Sequence, residues 1–293
     1  MGVEANRYQE FWVSSSPMCS CVSSARCGVY PSTITDLQWA VLVTLLPVPG
    51  NRTSKGGRPE KHDRRLVLDA IFYLVRGGVA WRQLPVEFPP WQTVYSIFVR
   101  WQQAGVWQRL HDALRDQTRV RAGRRATPSA AIVDSQSVRA SAAVTKASRG
   151  WDNGKKVGGR KRHIAVDCLG LILTVLVTAA NIQDRDAGHR LIAVLRQRFS
   201  TITLIWADSG YAGRLVIWAR AVLNLAVQAV KRTDDVKGFV VVPRRWVVER
   251  TFAWLFGYRR LIHDHERHTT THETMIHIAM IMLMSRRLTK TKP

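Results

Sequence analysis

The chain has 293 residues, 46% of them hydrophobic, with 44 Lys+Arg against 21 Asp+Glu and a formal charge of +23. That is enough apolar material for a real core, and the charge surplus calls for a polyanionic partner, most simply nucleic acid. A membrane span is not expected, because LILTVLV and IAMIMLM fall well short of the roughly 20 apolar residues that a bilayer requires.

The N-terminus has no basic region followed by a sustained apolar run, so no secretory leader is expected. Reduced, ordinary thiols in a cytoplasmic protein are the better reading. Cys19, Cys21 and Cys27 form a C-x-C-x5-C cluster, but no His precedes position 62 and Cys168 is remote. A closed zinc site wants four ligands.

Residues 1–32 are rich in Ser and Cys without a lasting period and read as a loosely ordered extension. From Thr35 the pattern turns helical, with Thr35 and Gln38 spaced as a capping box. The loop NRTSKGGRPEK carries four Lys or Arg in eleven residues. Further helices are predicted at about 63–75, 93–103 and 106–117 from apolar spacing and from the breaks at Pro89-Pro90 and Gly105. Residues 33–118 thus read as a small helical region, either a helix-turn-helix-like DNA binder or a helical cap on a catalytic core. The basic stretch 119–130 (RVRAGRRATPSA) reads as a linker.

Beyond it, AAIVD, RHIAVDC, LILTVLVTAA, TLIWAD and LAVQAVK are short, β-branched runs bounded by Gly, Asp or Asn. Helical patterns fall at 187–198, 213–223 and 245–261. Three strands in succession, then alternating helices and strands, predict a mixed α/β sheet over 131–288. A short basic tail, 289–293, closes the chain.

Acids are scarce, so their positions are informative. Asp134 is expected at the end of the first strand and Asp208 at the end of a later one. Ligands in open α/β sheets gather beyond the carboxyl ends of strands. Glu249 lies on the last predicted helix with Arg245, Phe252 and Phe256 on its face, so it is expected to point partly into apolar surroundings. Three such carboxylates suit a pair of divalent ions for phosphoryl displacement. Turn or helix capping explains Asp134 and Asp208 about as well, and an Arg–Glu pair explains Glu249. Asp167 suits a hairpin turn, Asp184 and Asp186 suit a helix start, and His163 and His189 suit structural roles.

The segments FPPWQTVYSIFVRW, IVDSQSVRAS, GKKVGGRKRHIAVDCLGLILTVLVTAANIQDRDAG, WADSGYAG and RRWVVERTFAWL together resemble bacterial insertion-sequence transposases of the DDE type, in the fourth and fifth insertion-sequence families. The resemblance runs from about 34 to 288. It implies an RNase H-like catalytic core after a helical DNA-binding region. It also implies a catalytic, metal-binding triad of Asp134, Asp208 and Glu249, with Arg245 four positions before the glutamate as a phosphate contact.

Two Mg²⁺ ions are implied, with Mn²⁺ able to substitute. So is double-stranded DNA as partner, at terminal inverted repeats and at target sites, with a homodimer pairing two ends and a bacterial, nucleoid-associated location. Two departures stand out. Val242 occupies the place of a signature Tyr, and Phe256 and Gly257 stand where a basic residue is expected. The hairpin residues Lys155, Lys156, Arg160, Lys161 and Arg162 are expected to track the phosphate backbone. The competing expectation is a catalytically inactive DNA-binding protein that only occupies inverted repeats.

Overall fold

Thr35 starts the first helix as its spacing predicts. Its Oγ1 accepts the Gln38 N–H at 3.2 Å, and Gln38 Oε1 accepts the Thr35 N–H at 3.0 Å. The computed structural model describes residues 30–54, 56, 58–229 and 246–290. Arg245, Val242 and nearly all of the N-terminal extension lie outside the described residues.

Four helices come first: α1 (Asp36–Val43), α2 (Arg64–Gly77), α3 (Trp91–Gln103) and α4 (Val106–Arg121). Asp63 caps α2 by accepting the Arg65 N–H at 3.0 Å. Gly78 ends it at φ +74°, where a Cβ would stand 2.8 Å from that of Arg259. Only glycine meets both demands.

The sheet contains β1 (Ala130–Arg139), β2 (Gly150–Asp152), β3 (Val157–Val166), β4 (Ile172–Ala179), β5 (Leu204–Ala207) and β6 (Ala226–Ala229). β1 pairs antiparallel with β3 along one edge and parallel with β5 along the other, and β6 continues parallel to β5. β2 and β4 follow one another along the far edge of β3. This mixed sheet behind a helical region is the RNase H-like arrangement that the resemblance implied. Its helices are α5 (Asp184–Arg198), α6 (Arg214–Leu223), α7 (Trp246–Phe256) and α8 (Thr269–Thr289).

Side-chain alternation divides the apolar residues between two cores. Ala131, Val133, Ala165, Ile205 and Ala207 face α5 and α6. Ile132, Ile164 and Val166 face α7 and α8 in a larger core that also takes in α1 to α4. The helical region therefore shares its core with the sheet.

The predicted linker at 119–130 begins inside α4. Arg119 is buried there and ion-pairs with Asp167, whose Oδ1 accepts the Leu169 and Leu171 N–H groups at 2.9 and 2.8 Å in the β3–β4 turn. The two regions are joined by packing and a buried ion pair as well as by chain. Among the described residues, no helix is long and apolar enough to cross a membrane.

Candidate active site

The parallel register of β1 and β5 places the first two candidate acids side by side. Ile132 lies opposite Trp206 and Val133 opposite Ala207, so the next step brings Asp134 level with Asp208. Adjacent strands run roughly 4.8 Å apart.

Asp134 differs from expectation in one respect: it lies within β1, not at its end. The strand continues to Arg139 because β3 keeps pairing with it through Arg139 and Gly159, whereas β5 stops at Ala207. Asp134 thus stands where one edge of β1 opens and the other stays closed. Asp208 does end its strand. Its Oδ1 accepts the Gly210 N–H at 2.9 Å and caps the short turn Ser209–Tyr211. Both acids are partly buried.

Parity assigns them a common face. Ile132 packs in the α7–α8 core and Trp206 packs against it, and each acid is two residues further along its strand. Helix α7, which carries Glu249, covers β1 and β3 on that face. It is anchored there through Thr251, whose Oγ1 donates to the Gly170 carbonyl at 2.8 Å, and Arg250, whose guanidinium donates to the Leu169 carbonyl at 3.1 Å.

Glu249 itself is exposed, contrary to the apolar surroundings expected of it. Val247, Val248, Thr251, Phe252 and Leu255 form the buried side of α7, and a residue between Val248 and Thr251 falls on its flank. Phe256 is 45% exposed and also leaves the core. The fold therefore brings Asp134 and Asp208 together and sets the Glu249 helix over the same face. Among the described residues, no three His, Cys, Asp or Glu side chains are grouped closely enough to hold a metal ion by themselves.

The basic hairpin divides. Lys155 and Lys156 are exposed at its turn. Arg160, Lys161 and Arg162, expected to meet phosphate, are buried and committed to protein partners. Arg160 donates to Asp264 Oδ2 at 2.9 Å and to the Glu266 carbonyl at 2.8 Å. Arg162 donates to Gln136 Oε1 and to the Leu261 carbonyl, and stacks over Phe252 and Phe256. Lys161 pairs with Asp184 at 3.1 Å. The physical reason is that β3 is the central strand of its antiparallel layer, covered on both faces.

Beside the acids, on the Ser135 side of β1, lies a polar cluster that the sequence pattern does not reveal. Ser135 Oγ donates to Asp184 Oδ1 at 2.8 Å. The buried phenol of Tyr211 stands 3.5 Å from His163 Nδ1. Burial, and then the charges of Asp184, Asp134 and Asp208, hold the Tyr211 pKa well above its ordinary value, so it stays protonated. His163, wholly buried, is pushed down to about 4 by burial, despite the pull of Asp184. Both histidine and tyrosine are neutral at pH 7.

Two family models match this chain. One, described as "Putative transposase of IS4/5 family", covers residues 34–111; the other, "Transposase DDE domain", covers residues 125–284. Among curated proteins, an "Insertion element IS402 uncharacterized 16.2 kDa protein" of Burkholderia cepacia is 36% identical over 109 residues, 36% of this chain and 73% of that one. A "Putative transposase for insertion sequence element IS402" of the same organism is 29% identical over 135 residues, 43% of this chain and 62% of that protein's length.

Proposed function

We propose that this chain, which belongs to the DDE transposases of insertion sequences, binds the terminal inverted repeats of its own element, cuts the DNA at their ends and joins the freed 3′-OH to a target. The observation that carries the reading is the placement of Asp134 and Asp208 each one residue past the last parallel pair of β1 and β5, Val133 and Ala207, on the face that the helix bearing Glu249 covers. Their donors are all carboxylate oxygens, which suit hard divalent cations such as Mg²⁺ or Mn²⁺. Asp134, Asp208 and Glu249 would hold two such ions, which supply activation of the attacking oxygen and stabilisation of the leaving one.

The chain's own residues do the rest. The sheet fixes the two aspartates without any loop rearrangement, since both sit at or next to paired backbone. Glu249 is exposed on the flank of α7, on the side from which a DNA duplex would approach the two aspartates. Lys155 and Lys156 are exposed on the neighbouring hairpin, where Lys155 Nζ donates to the Ser135 carbonyl at 3.3 Å, and would offer positive charge to the backbone of a bound duplex beside the aspartates.

A second basic surface borders a cavity of about 550 Å³ between the 47–62 loop, α3 and α4. Arg58, Lys61, Arg100 and Arg109 rim it and are exposed. We assign the helical region to recognition of the repeat on this basis. Pairing of two ends calls for a homodimer in the working complex.

The test is a joining reaction: full-length protein, Mg²⁺, a pre-cut duplex carrying the element's end, and a target plasmid. Covalent products are expected. Retardation of the duplex with neither cutting nor joining would favour the inactive DNA-binding reading. Cutting without joining would make it a nuclease.

A further inference from the structure

The geometry points to Asp184 as a positioning residue of the reaction centre, tying β1 just beyond Asp134 to the turn that follows Asp208. This rests on the reading of Asp134 and Asp208 as the metal-bearing pair.

Asp184 is the first residue of α5, where an acid ordinarily serves its own helix. Here the N-cap position belongs to Gln183, which makes no side-chain cap. The Asp184 carboxylate instead reaches across. Its Oδ1 accepts from Ser135 Oγ at 2.8 Å and lies 3.1 Å from Lys161 Nζ. Ser135 immediately follows Asp134 and points to the other face of the strand, so fixing its hydroxyl fixes the backbone that presents Asp134.

The other carboxylate oxygen faces the second acid's turn. A Cβ at Gly210 would stand 3.1 Å from Asp208 Oδ1 and 3.5 Å from Asp184 Oδ2. One helical turn further along α5, a Cβ at Gly188 would come within 3.0 Å of the Tyr211 ring. Tyr211 is buried three residues after Asp208, so α5 grips that turn at two heights.

A third carboxylate beside two others is repulsive unless something offsets it. Lys161 does so, and it is itself held in place: Nζ donates to the Ile182 carbonyl at 3.1 Å. The arrangement links three chain segments, β1, the Asp208 turn and the α5 start, through one fixed ion pair. Loss of the link would leave both metal-bearing carboxylates present but free to drift apart.

The test is Mn²⁺ binding to the full-length protein without DNA, followed by electron paramagnetic resonance of the free ion, alongside thermal melting. Asp184→Asn is expected to weaken Mn²⁺ about tenfold, the scale of losses when a ligand's support is removed. Ser135→Ala should give a smaller loss of the same kind. The double variant should be no weaker than Asp184→Asn alone, because both cut one linkage. Melting should shift little, and if Asp184→Asn melts early, Ser135→Ala carries the same test with a single hydroxyl removed.

Parental Mn²⁺ binding by Asp184→Asn, with Asp134→Asn deficient, would overturn the positioning role and leave the metal pair standing. Parental binding by Asp134→Asn would instead remove the pair itself. Losses that multiply in the double variant would overturn the Ser135 linkage.

Discussion

Asp134 and Asp208 were legible because acids are rare in this chain and both follow short apolar runs. Asp184 was not, since a helix start explains an aspartate without reference to anything distant, and only the fold reveals that its carboxylate crosses to Ser135. Arg160, Lys161 and Arg162 misled for a related reason: a run of cations has the same sequence whether it faces phosphate or internal carboxylates. The revised expectation is that Arg160→Ala leaves the fully buried Asp264 with only His272 and the Glu266 N–H as partners and destabilises the fold by about 3 kcal/mol, measurable by urea unfolding. It should leave the salt dependence of DNA binding unchanged in whatever protein remains folded.

A pH effect belongs at the same scale. Burial raises Glu273 to about 7, against the Val177 N–H bond at 2.8 Å and Arg190, which favour its charged form. The folded state therefore holds this proton more tightly than the unfolded chain, so stability from this group is present below pH 4.5 and lost as pH rises through 7. Glu273→Gln should stabilise by about 1–2 kcal/mol at pH 8 and by almost nothing at pH 4. Comparing variant with parent at each pH cancels the opposite trend from His163 and His277, which are depressed to about 4 and 3. A gain that is equal at both pH values would contradict the assignment.

At the scale of elements, five of the six described strands and most helices followed from their periodicity; β2 went unread and β3 starts at Val157, five residues before the apolar run that marked it. β1 ran past Asp134 because its antiparallel partner, invisible from local sequence, keeps pairing to Arg139. The helix expected over 245–261 is described from Trp246 and ends at Phe256, followed by a turn at Arg259–Leu261. Helix α8 went unread altogether. Its Met275, Ile276, Ile278, Ala279, Met280, Ile281 and Met282 are all buried, so no polar face marks the period. It is wrapped by α1, α2 and α4 on one side and β4 on the other. Ile278→Ala should cost roughly 2–5 kcal/mol, and unfolding should remain one transition by far-ultraviolet and Trp signals alike. Separate transitions for the helical region and the sheet would show that α8 does not unite them.

For the molecule as a whole, the charge surplus pointed to a polyanionic partner, which is in keeping with membership of a transposase family, but not to which cations face outward. Burial decides that: the centre of β3 consumes Arg160, Lys161 and Arg162, while the hairpin turn and the cavity rim keep theirs exposed. Replacing Lys155 and Lys156 together by Ala should lower the slope of log affinity against log salt by roughly 1–2, at about 0.9 per phosphate contact; an unchanged slope would remove the hairpin turn from the DNA path.

Three carboxylates serving one reaction are the central claim, and nicking of a duplex bearing the element's end tests it most directly. The parent protein is compared with Asp134→Asn, Asp208→Asn and Glu249→Gln, with Mg²⁺ and with chelator. The prediction is cutting by the parent alone, only with metal, and equal retention of the duplex by all four proteins. Cutting by any of the three variants at the parental rate would contradict it.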